Sequence, residues 1–152
     1  MSERIRILFL CTGNSCRSQM AEGLCRHLRG DVIEPFSAGI KTHGLNRLAA
    51  QVMSEIGIDI TGQKSKSVAD LGNREFDCVV TVCDHASERC PFFPARTRVV
   101  HRGFDDPPKL ALNVASDEEA LTHYRRVRDE IREFVLLLPE LLGADPTGKI
   151  DA

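Results

Sequence analysis

Cys11, Arg17 and Ser18 lie within one eight-residue stretch, Cys11-Thr12-Gly13-Asn14-Ser15-Cys16-Arg17-Ser18, and together they offer a thiol nucleophile beside an anion site. The run before it, Ile5-Arg6-Ile7-Leu8-Phe9-Leu10, reads as a short buried strand, rich in β-branched and large apolar residues and without Pro or Gly. After it, Met20, Ala21, Leu24, Cys25 and Leu28 recur at helical spacing, which predicts a helix over residues 15–28. The stretch is therefore a loop between a strand and a helix N-terminus, where backbone N–H groups without helical partners favour an anion. Gly13 permits the tight turn, and Arg17 adds a planar fork of donors able to hold two oxygens of a tetrahedral oxyanion. A thiol in that field ionises well below its ordinary range, so Cys11 is expected to be a thiolate at neutral pH, with Ser18 able to donate to its sulfur. Thr12, Gly13, Asn14, Ser15 and Cys16 complete the expected oxyanion-binding loop, with Asn14 bracing it through backbone bonds.

The elements that must position this loop alternate along the chain. Residues 32–36 suggest a second strand, and Leu48, Ala49, Val52, Met53 and Ile56 predict a helix over 46–56. A polar stretch with a short helix near 68–71 precedes a third strand at 78–82 and a fourth at 97–100. Ser116 and Glu119 form a capping-box signature for a final helix with Leu121, Tyr124, Val127, Ile131, Val135 and Leu138 on one face. Pro139 is expected to end or kink it near Leu142. This is an α/β alternation, which implies a parallel sheet with helices on both faces and a ligand site beyond the carboxyl ends of the strands. Cys11 stands at such an end. The length, 152 residues, predicts a single domain over 1–142 with a loose C-terminal tail at 143–152.

Hydrophobic residues make up 42% and charged residues 28%, with a formal charge of -2, the balance of a soluble globular protein with no surface for a polyanion. Arg125, Arg126, Arg128 and Arg132 cluster on the last helix, but Asp129, Glu130 and Glu133 lie among them, so a salt-bridged solvated face is expected and not a nucleic-acid site. No apolar stretch reaches membrane-spanning length, and Met1-Ser2-Glu3-Arg4 carries no signal-peptide pattern; no membrane association and a cytoplasmic location are expected. In that compartment six cysteines do not make a disulfide framework. Cys25 and Cys78 fall at core positions; Cys16 is read as structural, with a protective bond to Cys11 as the alternative. Cys78, Cys83, His85 and Cys90 lack the paired C-x₂-C spacing of zinc ligands, and neither metal nor cofactor is expected. Asp-Asp-Pro-Pro at 105–108 is a turn signal compatible with Asp106 as a general acid.

These motifs resemble the low-molecular-weight protein tyrosine phosphatase superfamily, and more closely its thioredoxin-coupled arsenate reductases. The likeness rests on Cys11, Arg17 and Ser18 followed by Gln19-Met20-Ala21-Glu22-Gly23, on Ser37-Ala38-Gly39 with Thr42-His43-Gly44, and on Phe104-Asp105-Asp106-Pro107. It runs on through Tyr124-Arg125-Arg126-Val127-Arg128-Asp129-Glu130-Ile131 and covers the chain from about Arg4 to Leu142. The resemblance implies a four-stranded sheet in the order 2-1-3-4, which sets Cys11 and Cys83 at neighbouring strand ends ~4.8 Å apart, inside the ~7 Å Cα limit for a disulfide. It implies that Cys11 attacks arsenate held by the loop and Arg17, while Asp106, which directly precedes the proline as Asp105 does not, protonates the departing oxygen. Cys83 and Cys90 then match the second and third cysteines of a disulfide relay reset by thioredoxin. If residues 84–89 were helical, Cys83 and Cys90 would be ~10 Å apart, so their bond would need that segment to rearrange.

The alternative is a phosphatase that hydrolyses phosphate monoesters through a phosphocysteine on the same Cys11, Arg17, Ser18 and Asp106. Tyrosine phosphatases of the superfamily usually carry aromatic residues after the Asp-Pro pair. Here Pro108-Lys109-Leu110 follow, and Tyr124 is the only tyrosine. With Cys83 and Cys90 present, arsenate as substrate and thioredoxin as partner are expected, although a small thiol is the other possible donor; a monomer is expected. Some reductases of the family bind potassium through residues that match Asn14, Glu22 and Ser37 and an acidic residue replaced here by Lys66. The Lys66 ammonium is expected to stand where the cation would.

Overall fold

The computed structural model describes residues 4–72, 74–83 and 98–144. Strand β1 (Ile5–Cys11) lies between β2 (Ile33–Gly39) and β3 (Cys78–Thr81), and β4 (Arg98–His101) flanks β3. All three pairings are parallel and the order is 2-1-3-4, as the resemblance implies. Residues 7–11 of β1 are buried on both faces, which explains their unbroken apolar run. Pro35 falls on β2, an edge strand, where a missing ladder donor is tolerated.

Ile7 and Phe9 face a core built from Met20 and Leu24 of α1 (Arg17–Arg29), Val52 and Met53 of α2 (Arg47–Glu55), and Val127 and Ile131 of α4 (Asp117–Ala144). Leu8 and Leu10 face the other way, against Phe76, Phe36 and the 3₁₀ turn Val68–Leu71. Helical elements thus flank both faces, unequally among the described residues. A short α3 (Pro107–Leu110) occupies part of the stretch read from sequence as a turn. Along α4 Arg126 pairs with Glu130 on the exposed face, as expected, whereas Arg128 is buried, and it and Arg125 bind Glu55 of α2, which fastens α4 to α2. Among the described residues no helix is long and apolar enough to cross a membrane.

Several boundaries move for identifiable reasons. The helix expected from residue 15 begins at Arg17, because residues 12–16 form the loop. β2 runs three residues beyond the expected end at 36, since Ser37, Ala38 and Gly39 pair with Phe9, Leu10 and Cys11 although their side chains carry no strand signal. β3 ends at Thr81 and β4 spans 98–101; Thr97 lies outside the described residues. Asn46, read as helical, is the N-cap of α2, its side chain accepting from the Leu48 and Ala49 amides. At α4 the Glu119 amide donates to Ser116 Oγ, while Glu119 reaches back to the Ala115 amide, one residue before the expected partner. Pro139 does not stop α4, which continues to Ala144. Pro139 leaves the Val135 carbonyl without its helical donor; Arg29 donates to the adjacent Leu136 carbonyl at 2.8 Å, and Arg98 donates to Leu142 O in the last turn at 2.9 Å. Residues 145–152 of the expected tail lie outside the described residues.

Candidate active site

The carboxyl edge of the sheet places the loop. Cys11 ends β1 opposite Gly39 of β2, and a Cβ at Gly39 would come within 2.8 Å of both the Asn14 nitrogen and the Thr12 oxygen. Only glycine lets the loop fold over that strand end. Gly39→Ala must push the loop off its seat, and a displacement approaching 1 Å is expected to lower kcat/KM by ~10² while circular dichroism stays native. A variant within about twofold of wild type would show that the contact is not needed.

The loop's carbonyls are bound from outside. Thr12 O accepts from the Ile40 amide at 2.9 Å and the Lys41 amide at 3.1 Å, Gly13 O from the His43 amide at 3.1 Å and Ser65 Oγ at 3.2 Å, and Ser15 O from the Asn46 amide at 2.9 Å. Asn14 O accepts from Gln19 Nε2 at 3.0 Å and Cys16 O from the Met20 amide at 2.9 Å. In a trans peptide the carbonyl and the next N–H point in opposite directions, so these bonds turn the amides of residues 13–17 toward the inside of the loop. Asn14 is buried with a φ of 47°, a left-handed conformation that asparagine tolerates better than most residues. Its Oδ1 accepts from the Lys66 amide at 2.6 Å, and its Nδ2 donates to Ser18 Oγ at 2.9 Å, which leaves the Ser18 hydroxyl hydrogen for another acceptor.

The half-open cavity over the loop, about 190 Å³, is lined by Cys11, Thr12, Gly13, Ser15, Cys16, Arg17, His43, Asp106 and Pro108. Arg17 is 3% exposed; its Nη1 donates to Phe104 O at 3.1 Å and its Nη2 lies 3.7 Å from Asp106 Oδ1. One guanidinium therefore touches both the cavity and the segment carrying Asp106. Asp106 occupies the N-cap position of α3 without a side-chain bond to it, and its carboxyl lines the cavity. Asp105 turns outward to Arg126 at 2.9 Å. Burial, and then the neighbouring Cys11, push the Cys16 thiol well above the usual thiol range, so it stays protonated. Burial also pushes Tyr124, whose hydroxyl accepts from Asn46 Nδ2, up to about 12.

Cys83 follows β3 by two residues and is fully buried. Its sulfur lies 4.0 Å from Thr12 Oγ1 and 3.9 Å from Leu10 O, against the residues on either side of Cys11. Thus Cys11, Cys16, Arg17, Ser18, Cys83 and Asp106 gather at one sheet edge. Cys90, the 84–89 segment and His85 lie outside the described residues. Cys25 and Cys78 are core residues, their thiols raised by burial to about 12 and about 11. Beside the loop, Glu22 accepts from Ser37 Oγ at 2.6 Å and from Arg26 at 2.7 Å, and Lys66 Nζ lies 3.7 Å from the same carboxylate and 2.7 Å from Lys64 O.

Sequence reasoning missed the roles of Gly39, Asn46, Gln19 and Ser65, which hold the loop, and of His43 and Pro108, which line the cavity. Gly39, His43, Gln19 and Pro108 belonged to motifs already noted, without a role there; Asn46 and Ser65 reach the loop from segments distant in sequence.

The family described as "Low molecular weight phosphotyrosine protein phosphatase" matches residues 6–145. An arsenate reductase of Halalkalibacterium halodurans is 50% identical over 125 residues, covering 82% of this chain and 88% of that protein. One of Bacillus subtilis is 48% identical over 126 residues, covering 82% and 88%. Among solved structures, an arsenate reductase in the phosphate binding state superimposes with a TM-score of 0.72 at 29% identity, covering 88% of this chain and 95% of that one. A low molecular weight protein tyrosine phosphatase from T. tengcongensis gives 0.67 at 25% identity, covering 90% and 98%.

Proposed function

The chain belongs to the low molecular weight phosphotyrosine protein phosphatase family, and from that premise we propose that it reduces arsenate to arsenite by a relay of Cys11, Cys83 and Cys90 that thioredoxin resets. The observation that carries this reading is the second buried thiol at the back of the loop, Cys83, against Thr12 and the Leu10 carbonyl. A phosphatase has no use for it there.

Loop amides and Arg17 hold the oxyanion, and the Cys11 thiolate attacks arsenic, forming a sulfur–arsenic bond. Asp106 protonates the departing oxygen, which leaves as water. Ser18, already accepting from Asn14, donates to the Cys11 sulfur. Cys83 then attacks Cys11 Sγ; a disulfide forms, the sulfur–arsenic electron pair stays on arsenic, and As(V) leaves as As(III). Cys90 attacks Cys83, freeing the Cys11 thiolate, and two electrons from thioredoxin reduce the Cys83–Cys90 disulfide. Cys16, kept protonated, does not compete with Cys11 as nucleophile. Because the first steps serve any tetrahedral oxyanion, slow hydrolysis of aryl phosphates by the same cysteine accompanies reduction. The test is arsenate-dependent consumption of NADPH through thioredoxin reductase, thioredoxin and this protein. Aryl phosphate turnover without it would favour the phosphatase reading.

The residues beside the loop do not fit a free monovalent cation. Arg26 and Lys66 already neutralise Glu22, and a potassium ion there would meet two fixed positive charges. We therefore expect the KM for arsenate to stay within about twofold when potassium replaces sodium at constant ionic strength. A severalfold response would refute the ammonium's role as built-in cation.

A further inference from the structure

We infer that Tyr124 is a positioning residue for the loop: its buried hydroxyl fixes the side chain of Asn46, whose backbone N–H holds the Ser15 carbonyl and so turns the Cys16 amide into the cavity. The inference rests on the proposed reading of the loop as an oxyanion site, and it concerns a residue that does not line the cavity and that no step of the relay uses.

Ser15 O accepts from the Asn46 amide at 2.9 Å, and the trans peptide that follows sends the Cys16 N–H the opposite way. Where Asn46 sits therefore sets the direction of one loop donor. Three bonds hold its side chain: Oδ1 accepts from the Leu48 and Ala49 amides at 2.9 and 3.0 Å, and Nδ2 donates to the Tyr124 hydroxyl oxygen at 3.1 Å. Ser, Thr or Asp would also cap α2, but of these residue types only Asn carries an NH₂ group beside the accepting oxygen. Because the amides of α2 claim the oxygen, the NH₂ group is left for Tyr124. Tyr124 is 3% exposed on α4. Its hydroxyl thus joins α4, the start of α2 and the loop at one point. Arg125 and Arg128 fasten the same two helices at Glu55, the other end of α2, without touching the loop. Removing the hydroxyl leaves the Asn46 donor without its partner, a loss that falls on the residue holding Ser15 O.

The test measures the affinity of the full chain for inorganic phosphate by calorimetry, with thermal unfolding alongside. Tyr124→Phe, and Asn46→Ser, which keeps a cap and the backbone N–H, are each expected to weaken phosphate binding by about threefold or more. The double variant is expected to stay within about twofold of the weaker single variant, because both substitutions remove the same bond. Arg125→Ala, which loosens α4 from α2 at Glu55, is expected to leave the affinity within about twofold of wild type even if the melting temperature falls. A loss below about threefold in Tyr124→Phe, or losses that multiply in the double variant, overturns the inference. An equal loss in Arg125→Ala does so too, since it traces the effect to helix packing in general. A wild type that binds no phosphate overturns the reading of the loop and this inference with it. Cys83, Cys90 and thioredoxin take no part in the measurement, so failure of the relay appears separately, in the coupled assay.

Discussion

Cys11→Ser is expected to abolish arsenate reduction and aryl phosphate hydrolysis together, by a factor on the order of 10⁴ or more, whereas Cys16→Ser keeps both within about fivefold. Both thiols line the same cavity and both are nearly fully buried, at 4% and 3% exposure, so burial does not separate them. Charge does. Ionising Cys16 is opposed by burial and then by Cys11 beside it, and only secondarily favoured by Arg17. Two thiolates in one small cavity would repel, and Cys16 is held protonated. Steady-state kinetics of the two variants with arsenate and with an aryl phosphate check the assignment. Loss of both activities in Cys16→Ser, with Cys11→Ser active, would invert it.

Asp106→Asn is expected to lower kcat by ~10²–10⁴, the range that general acid catalysis supplies, while Asp105→Asn changes it by less than about threefold. The two carboxylates are adjacent in sequence but face different partners, Asp106 the cavity and Arg17, Asp105 the exposed guanidinium of Arg126. Exposed pairs of the second kind contribute roughly 0–1 kcal/mol. The loss in Asp106→Asn should shrink for an aryl phosphate whose phenol is a good leaving group, because such a group departs without a proton. An equal loss across leaving groups would mean that Asp106 acts on binding or loop position instead. Kinetics across a series of aryl phosphates distinguish the two.

The sequence made the sheet and the loop readable because their signals are local. The apolar run of β1 and the stripe of α1 bracket residues 11–18 on their own, and the alternation that follows leaves few parallel arrangements. What was not readable depends on contacts between distant segments. Gly39 looks like any small residue at the end of a strand until Thr12 and Asn14 fold over it. Asn46 reads as helix because its apolar neighbours do, yet it caps α2 and binds the Ser15 carbonyl. Pro139 suggested an end or a kink near Leu142, and Arg29 of α1 donates to the Leu136 carbonyl beside it, a contact that no local pattern reveals. Lys66 is the converse case: the resemblance suggested its ammonium where a cation would stand beside Glu22, and it lies 3.7 Å from that carboxylate.

On the proposed reading the loop and Asp106 serve two chemistries, and Cys83 distinguishes them. Its replacement is therefore the most direct test of the account: Cys83→Ser assayed for arsenate turnover with thioredoxin, thioredoxin reductase and NADPH, beside hydrolysis of an aryl phosphate. The account predicts that multiple-turnover reduction falls by at least about a hundredfold while hydrolysis stays within about threefold of wild type. Sustained arsenate turnover by Cys83→Ser would contradict the relay.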